Sequence, residues 1–354
     1  MIIVLVAIWA VRHVSSFIKV DYISQRPVLV AELDDAGIAV FRKAILEVAD
    51  KHIMDVAFNH EGDMLVATDR PGNLHVWRTF DWKVTKKFKQ TPSLALDVSP
   101  DNTLVVSMLA SDKNLMLVDL QTGEKTPLSD APQWDICFNS DGSLLAGGGC
   151  DNTVRIWDMS AKRIVHEFVV EGGVNSIAFS PDETRIIGCS HLGSVVSAWD
   201  IETGTKLWGE VPDYWFTEGE VPDTLVSSSQ NLAIAVLGGE LRAYNLDNGT
   251  LAWTFPQVDP GASPQYIGIQ SADLSSDESL TAAAGNSGTV YLIDPGNGVE
   301  IGRFTAENPD NYKTGWWCDS ITFSRNGSML AAGTDSGKVL VFSIKRWQSN
   351  DMEP

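Results

Sequence analysis

The chain has 354 residues and carries 46 acidic against 26 basic side chains, a formal net charge of −20. Nucleic acids and anionic membrane surfaces are bound through clusters of lysine and arginine, so this charge balance argues against both as partners. With 44% hydrophobic residues, 12 tryptophans and 13 phenylalanines, the chain can bury a large core without disulfide or metal staples.

The N-terminus begins with ten apolar residues, from Ile2 to Val11. This run is much shorter than the 18 or more residues that a transmembrane helix needs. Arg12 and His13 follow the run and no basic residue precedes it, which does not match a secretory signal. We predict a β-strand here, with a secretory or anchoring segment as the alternative.

From residue 18 onward, short apolar runs separated by turn residues recur with a period of roughly 40 residues, which is typical of repeat architectures. The large or apolar residue that ends the first run of each unit recurs at spacings of 36 to 49 residues, as Tyr22, Phe58, Val98, Phe138, Phe179, Val226, Leu274 and Phe323. The residue that ends the third run recurs in step with it, as Phe41, Trp77, Val118, Trp157, Trp199, Tyr244, Ile293 and Phe342. Each unit is therefore predicted to be a small antiparallel meander.

Turn motifs extend the pattern. Polar turns follow several first runs, as Ser99-Pro100-Asp101, Asn139-Ser140-Asp141-Gly142, Ser180-Pro181-Asp182 and Ser324-Arg325-Asn326-Gly327, while Trp157-Asp158 and Trp199-Asp200 end two third runs. In these motifs, over residues 18 to 345, the chain resembles the WD-repeat β-propeller family. The resemblance implies an all-β single domain over residues 1–347, built of four-stranded antiparallel blades, with a short tail at 348–354.

The resemblance also implies a ring, whose blade count depends on residues 18–50. We expect this degenerate unit to form a blade, which gives a ring of eight blades; if it does not, the ring has seven. The last unit offers only three strands, at about 319–323, 328–333 and 338–343, so we expect residues 1–16 to supply its fourth strand and close the ring. Only two units keep Trp-Asp and none has the family's Gly-His pair, so we expect stability to rest on packing.

Three connections are longer than the others, at roughly 209–222, 256–268 and 306–317. In a propeller, all three would leave the same face, and loops on a rigid scaffold are where binding residues concentrate. Their aromatic and acidic residues have the composition of an interface. We predict partner binding by Tyr214, Trp215, Phe216, Glu218, Tyr266, Tyr312, Trp316 and Trp317. The alternative is that these rings fold back as a local cap.

Catalytic motifs are absent from the sequence: there is no Gly-x-Ser-x-Gly, phosphate-binding Gly loop or His-Glu-x-x-His. Cys150, Cys189 and His191 could approach each other but lack an evident fourth ligand, so no metal and no cofactor are expected. These cysteines, with Cys137 and Cys318, are expected to be buried free thiols, which favours a soluble protein in a reducing, intracellular compartment.

One local basic run, Lys83, Lys86, Lys87 and Lys89, is predicted to lie on the outermost strand of its unit, where lysine blocks edge-to-edge pairing. For the whole chain, we predict a non-catalytic scaffold that binds proteins with neutral or basic surfaces. Two alternatives stay open. Residues Gly239 to Phe255 resemble the repeat of quinoprotein dehydrogenases, and the chain could also be a structural subunit of a larger assembly.

Overall fold

The structure is a computed structural model that describes residues 28–33, 37–48, 52–89, 93–101, 104–109, 114–120, 122–129, 133–149, 151–170, 172–189, 196–210, 223–256, 268–286, 288–305 and 318–346. Over these ranges the regular secondary structure consists of 29 β-strands. In the same ranges there is no helix of the length and apolarity needed to cross a membrane. The all-β prediction is confirmed.

The strands alternate with short polar turns throughout. In chain order they are β1 (Val28–Leu33), β2 (Ile38–Glu47), β3 (Ile53–Phe58), β4 (Met64–Asp69), β5 (Asn73–Arg78), β6 (Val84–Lys89), β7 (Ser93–Val98), β8 (Leu104–Leu109), β9 (Asn114–Asp119), β10 (Lys125–Ser129), β11 (Asp135–Phe138), β12 (Leu144–Gly148), β13 (Thr153–Asp158), β14 (Arg163–Val169), β15 (Ser176–Phe179), β16 (Arg185–Cys189), β17 (Val196–Asp200), β18 (Lys206–Glu210), β19 (Thr224–Ser227), β20 (Leu232–Leu237), β21 (Glu240–Asn245), β22 (Leu251–Phe255), β23 (Ile269–Leu274), β24 (Thr281–Gly285), β25 (Thr289–Ile293), β26 (Glu300–Thr305), β27 (Cys318–Phe323), β28 (Met329–Thr334) and β29 (Lys338–Arg346).

Six sheets are four-stranded antiparallel meanders, the type of blade that the repeats predict. They consist of β3–β6, β7–β10, β11–β14, β15–β18, β19–β22 and β23–β26. The first strand of each sheet, which we call the inner strand, contacts the inner strand of the next sheet. The clear repeat unit that begins at Trp134 forms β11–β13, with Phe138 opposite Leu145 and Leu145 opposite Trp157.

The remaining sheet has five strands, in the order β1-β2-β29-β28-β27. β2 pairs with β29 over nine register positions from Ile38 opposite Arg346 to Glu47 opposite Lys338. The place beside the last repeat that was predicted for residues 1–16 is therefore taken by residues 38–47, and residues 1–16 themselves lie outside the described ranges. The physical reason is the long-range pairing itself, in which β2 matches the whole of the nine-residue β29.

The predicted number of blades is wrong. The described residues form six four-stranded blades and one five-stranded sheet, instead of eight or seven four-stranded blades. The degenerate unit at 18–50 does not form a blade of its own, because its described strands β1 and β2 extend the sheet of the last repeat. Phe41 accordingly lies in β2, half-buried under the Lys345 ammonium at 5.2 Å from the ring centroid, and not in the third strand of a separate blade.

The core lies between neighbouring sheets. Trp157 of β13, for example, packs with Ile136 of its own sheet and with Leu115 of the preceding sheet. The largest fully buried side chains include one third-strand aromatic from each of four sheets, namely Trp77, Trp157, Tyr244 and Phe342. The five-stranded sheet and the β3–β6 sheet share a further cluster. Packing between sheets thus buries faces that a single meander could not bury.

Candidate functional site

The predicted partner-binding residues lie in 211–222, 257–267 and 306–317, outside the described ranges. The structure does describe the strands on either side of these segments. Each segment joins the last strand of one sheet to the inner strand of the next: β18 to β19, β22 to β23 and β26 to β27. Since the sheets share one up-and-down order, all three connections leave from the same end of the sheets, which we call the connection side. The opposite end, where first and second strands are joined, is the turn side.

Aspartates on or beside the inner strands connect neighbouring sheets. Asp135 is the simplest case: one carboxylate oxygen accepts the N–H of Ile136 at 2.8 Å, and the other accepts the N–H of Ile177 in the next inner strand at 2.9 Å. A single side chain therefore bonds two strands that do not pair in any sheet. We call such a contact an inter-sheet staple.

Four more aspartates make the same contact. Across to the next inner strand, Asp55 accepts from Leu96 N at 2.8 Å, Asp97 from Phe138 N at 2.8 Å, Asp223 from Ala272 N at 3.2 Å and Asp273 from Phe323 N at 2.6 Å. Each also accepts the N–H of the residue that follows it. Serines continue the series, because the Ser271 hydroxyl accepts from Ile321 N and the Ser320 hydroxyl from Val56 N, both at 3.1 Å.

One boundary between sheets differs. Ser176 of β15 occupies the position of Asp135 and Ser320, three residues before the phenylalanine that ends the inner strand. Its hydroxyl is buried and has no hydrogen-bond partner among the described residues. A contact farther along the same boundary joins the Cys189 sulfur to the Thr224 hydroxyl at 3.1 Å.

The five staple aspartates are half-buried and lie along the space between the contacting inner strands, which we call the channel. Desolvation raises the pKa of Asp55 to about 7, of Asp97 to about 6, of Asp135 to about 8 and of Asp273 to about 7. Desolvation also raises the pKa of Asp223, whose charge in turn helps to raise the pKa values of Asp55, Asp135 and Asp273. The backbone N–H groups act in the opposite direction but are outweighed.

The channel opens on the turn side into a cavity of about 340 Å³. Its apolar wall is made by the residues that end five inner strands, Phe58, Val98, Phe138, Leu274 and Phe323. Asp97 and Asp273 lie among the lining residues, and Asn59, Ser140 and Arg325 belong to the polar part. Arg325 donates to His60 Nδ1 at 2.6 Å, and burial together with this guanidinium lowers the pKa of His60.

Glutamates form a second kind of contact between sheets, at the turn side. Two of the turns that follow inner strands have a glutamate, Glu183 (φ 55°) or Glu278 (φ 53°), with positive φ. The corresponding position of two other turns is a glycine, Gly142 (φ 74°) or Gly327 (φ 66°). The Glu278 carboxylate accepts from the Ser227 hydroxyl at 2.8 Å, the Ser228 hydroxyl at 2.5 Å and Ser229 N at 2.7 Å, at the end of β19 in the preceding sheet and in the turn that follows it. Glu183 reaches Asn139 and Ser140 in the same way.

The expectation that stability rests on packing needs correction. Besides the staples, the β3–β6 sheet holds a buried polar group in which the Asp69 carboxylate accepts from Asn73 N at 2.6 Å and contacts His75 Nε2 at 3.0 Å. The His75 ring stacks on Trp77 at 5.6 Å between centroids.

The sequence did carry a signal for the staples: Asp recurs near the start of the first run, as in MDVAF, WDICF and PDTLV.

The other predicted anchors lie in third strands and their turns. Trp199 is buried, while Asp158 and Asp200 cap the turns that follow: Asp158 accepts from Ala161 N at 2.9 Å and Asp200 from Thr203 N at 2.8 Å. Hydrogen bonds from Ser160 and from Thr203, respectively, lower the pKa values of these two carboxyls.

The thiols are the remaining candidates for chemistry. Cys137, Cys189 and Cys318 are free, and burial raises the pKa of Cys189 and of Cys318 to about 12, which leaves them unreactive as nucleophiles. Cys150 and His191 fall outside the described ranges. Within those ranges, no group of three or more His, Cys, Asp or Glu side chains is arranged to hold a metal ion.

Two family models match parts of the sequence. The WD domain, G-beta repeat matches residues 127–158, which include β11–β13. Outer membrane protein assembly factor BamB matches residues 149–313. The second match includes residues 239–255, the unit that resembles a quinoprotein repeat, but its description is that of an assembly factor.

Curated relatives point to the first of these families. Periodic tryptophan protein 2 homolog of Schizosaccharomyces pombe is 28% identical over 58% of this chain and 21% of its own length. Target of rapamycin complex subunit wat1 of the same yeast is 22% identical over 49% of this chain and 55% of its own. Eukaryotic translation initiation factor 3 subunit I of Pyricularia oryzae is 28% identical over 28% of this chain and 31% of its own.

The antiparallel sheets and their mutually contacting inner strands define a β-propeller. With the repeat match and these relatives, the chain is identified as a WD-repeat β-propeller protein. It spans only about a fifth to about half of the length of the relatives named here.

Proposed function

We propose that the protein is a non-catalytic scaffold that binds other proteins through the connection side of its propeller. The observation that carries this proposal is that the three long connections all leave from the same end of the sheets. Staples hold these sheets to one another. A fixed framework with irregular loops at one end is the arrangement by which propellers and other β-folds present binding residues.

The binding residues that we propose are the aromatic and acidic side chains of those connections, namely Tyr214, Trp215, Phe216, Glu218, Tyr266, Tyr312, Trp316 and Trp317. Tryptophan and tyrosine contribute large contact areas at small entropic cost, which is why they are frequent among the residues that dominate binding. The net charge of −20 favours partners with neutral or basic surfaces.

The names of the relatives agree with such a role. Two of the three are subunits by name, one of a target of rapamycin complex and one of a translation initiation factor. The BamB description likewise names an assembly factor. We transfer from these names only the general role of binding protein partners, since the matched lengths are partial.

We also propose that the propeller is a closed ring and that β2 is the strand that closes it. In support, β2 pairs with β29, while the Ser320 hydroxyl in β27 donates to the Asp55 carboxylate in β3 at 2.7 Å. His52, just before β3, contacts the Asp319 carboxylate in β27. These contacts join the last sheet to the first four-stranded sheet.

The proposal can be tested by affinity purification of the full chain from its own cells, followed by mass spectrometry. We expect the triple variant Trp215→Ala, Trp316→Ala, Trp317→Ala to lose partners that the wild type recovers. The matched control is Leu251→Ala with Val299→Ala, since these side chains are 46% and 48% exposed on β22 and in the turn before β26. Equal recovery by all three proteins contradicts binding through the connection side.

A further inference from the structure

The outermost strand of the β3–β6 sheet is an edge with an unusual charge. β6 is the last strand of its sheet and pairs only with β5 among the described strands. Its side chains alternate, so that Thr85, Lys87 and Lys89 are exposed while Val84, Lys86 and Phe88 are half-buried. The strand therefore presents a row of exposed lysines along its free edge.

Two neighbouring lysines extend the row at its ends. Lys83 lies directly before β6, with a side chain that is 73% exposed. Lys125 of the next sheet donates its ammonium to the Lys89 carbonyl at 2.5 Å, which holds that side chain against the end of β6. Five ammonium groups thus lie along one strand of a protein whose net charge is −20.

An exposed aromatic ring lies at the start of this strip. Phe80 is 78% exposed, and it is the one aromatic residue among the large hydrophobic side chains that are exposed in the described part of the chain. The turn that carries it is well fixed: the Arg78 guanidinium covers the ring at 4.7 Å, and Arg78 also bonds Asp81 at 2.8 Å. Trp82, two residues on, is buried at 6% exposure. Phe80 is thus held outward on a rigid hairpin.

Protection of a free edge explains lysines in general but not this combination. A charged residue of either sign prevents edge-to-edge pairing, and an exposed phenylalanine works against that purpose. An aromatic anchor beside a row of like charges is instead the arrangement of a recognition surface.

We propose that β6 and Phe80 form a docking surface for an acidic, extended segment of a partner protein. The segment adds a strand to the free edge of β6, sets its glutamates or aspartates beside Lys87 and Lys89, and packs one apolar side chain on Phe80. A partner strand that pairs with all six residues of β6 is about 20 Å long. This surface lies on the side of the propeller and is independent of the connection-side loops.

Charge complementarity favours a short acidic segment over a nucleic acid. Fields of exposed charges decay over about 8 Å at physiological salt, so a ligand confined to the strip experiences mainly its lysines. A long polyanion extends beyond the strip over a surface that is acidic overall and is repelled there.

The test uses the full chain and a fluorescein-labelled ten-residue peptide in which glutamate alternates with valine, followed by fluorescence anisotropy. We expect saturable binding that weakens roughly tenfold between 50 and 500 mM salt. Lys87→Glu with Lys89→Glu is expected to weaken it at least tenfold, and Phe80→Ala severalfold. The matched control, Lys162→Glu with Lys206→Glu, changes the same charge at exposed positions of other sheets and is expected to bind as the wild type does.

Charge reversal also separates docking from edge protection, because glutamate keeps the edge charged. If the lysines serve only to protect the edge, the reversed variant stays monomeric and the peptide does not bind the wild type, which overturns the proposal.

Equal binding of a lysine–valine peptide, or tighter binding of an oligothymidine of equal charge, overturns the proposal as well. A peptide with alternate N-methylated amides is expected to bind at least tenfold more weakly, and unchanged binding overturns strand addition.

Discussion

Asp55 and Glu278 show how differently the same functional group behaves in two regions of this propeller. The Asp55 carboxylate, in the channel, accepts from Val56 N, Leu96 N and the Ser320 hydroxyl. The Glu278 carboxylate, on the turn side, also accepts three hydrogen bonds. Nevertheless, the pKa of Asp55 is raised to about 7, while that of Glu278 is lowered to about 2.

The difference lies in solvation and in neighbouring charge. At Asp55, desolvation outweighs the three donors, and the charge of Asp223 adds to the rise. At Glu278, burial is also the largest single cause and raises the pKa, but the hydrogen bonds from Ser228, Ser229 and Ser227 together outweigh it. Both carboxylates join neighbouring sheets. The number of hydrogen bonds therefore does not decide whether such a contact favours the charged form.

The largest expected effect is the loss of a channel staple. Asp135→Ala removes the acceptor of Ile136 N and Ile177 N and leaves both groups without a protein partner. Since each buried unsatisfied group costs roughly 1–3 kcal/mol, we expect a loss of about 3 kcal/mol in the free energy of unfolding. Urea denaturation followed by tryptophan fluorescence measures it.

The matched control for that variant is Asp141→Ala, on the turn that follows the same inner strand. Asp141 accepts from Ser143 N at 2.8 Å in an exposed turn, where water can replace the carboxylate. We expect its urea midpoint to stay close to that of the wild type. Equal loss in the two variants contradicts a special role for the channel carboxylates.

The second prediction concerns pH. The pKa values of Asp55, Asp97, Asp135 and Asp273 are raised to about 6–8, so the folded protein binds more protons than the unfolded chain above pH 4. Their contribution to stability is present below the unfolded pKa and is lost as pH rises through the folded values. We expect unfolding to cost about 2 kcal/mol more at pH 5 than at pH 8, a difference kept small because these groups are only half-buried and solvent screens them.

The turn-side carboxylates change the stability with pH in the opposite direction to the channel aspartates, and in another pH range. The pKa values of Asp277 and Glu278 are lowered to about 2, so their contribution is present above the unfolded pKa, near 4, and is lost as pH falls toward 2. Thermal unfolding from pH 2 to pH 8 should therefore give a maximum near pH 5. A midpoint that rises steadily from pH 5 to pH 8 contradicts the raised pKa values of the channel.

The sequence allowed the meanders, the third-strand anchors and the polar turns to be predicted, because their spacing and turn chemistry are local. A strand beside the third strand of the last repeat was predicted, but it was assigned to residues 1–16 and is formed by residues 38–47. Residues 1–16 and 38–47 are both apolar enough to form a strand, and only the pairing with β29 distinguishes them. That pairing joins residues about 300 positions apart.

The staples and turn glutamates could not be predicted from local pattern alone. Asp135 resembles any polar residue at the start of a strand, and its partner Ile177 lies in another repeat. Glu183 and Glu278 stand where the family's turn has glycine, which reads as a departure from the motif. The structure gives each of them a partner in the preceding sheet.

The third prediction separates backbone strain from the contact at Glu278. Glu278 has φ of 53°, which favours glycine. Glu278→Ala loses the three hydrogen bonds and keeps the strain, whereas Glu278→Gly loses the bonds and relieves it. We expect the alanine variant to be less stable than the glycine variant by about 1 kcal/mol in urea denaturation. At Gly327, where φ is 66° and no side chain bridges the sheets, Gly327→Ala is expected to cost a similar amount.

The smallest effect is expected at the boundary between β15 and β19, where the described residues form no aspartate staple. Ser176 and Ser320 occupy the same position of their inner strands, but the Ser176 hydroxyl is buried without a described partner, whereas the Ser320 hydroxyl bonds Asp55 and Val56 N. Ser176→Ala removes an unsatisfied group and should stabilise the protein by about 0.5–1 kcal/mol, while Ser320→Ala should destabilise it by about 1 kcal/mol. Thermal unfolding at pH 7 compares the two. Destabilisation of similar size in both variants contradicts an unsatisfied Ser176 hydroxyl.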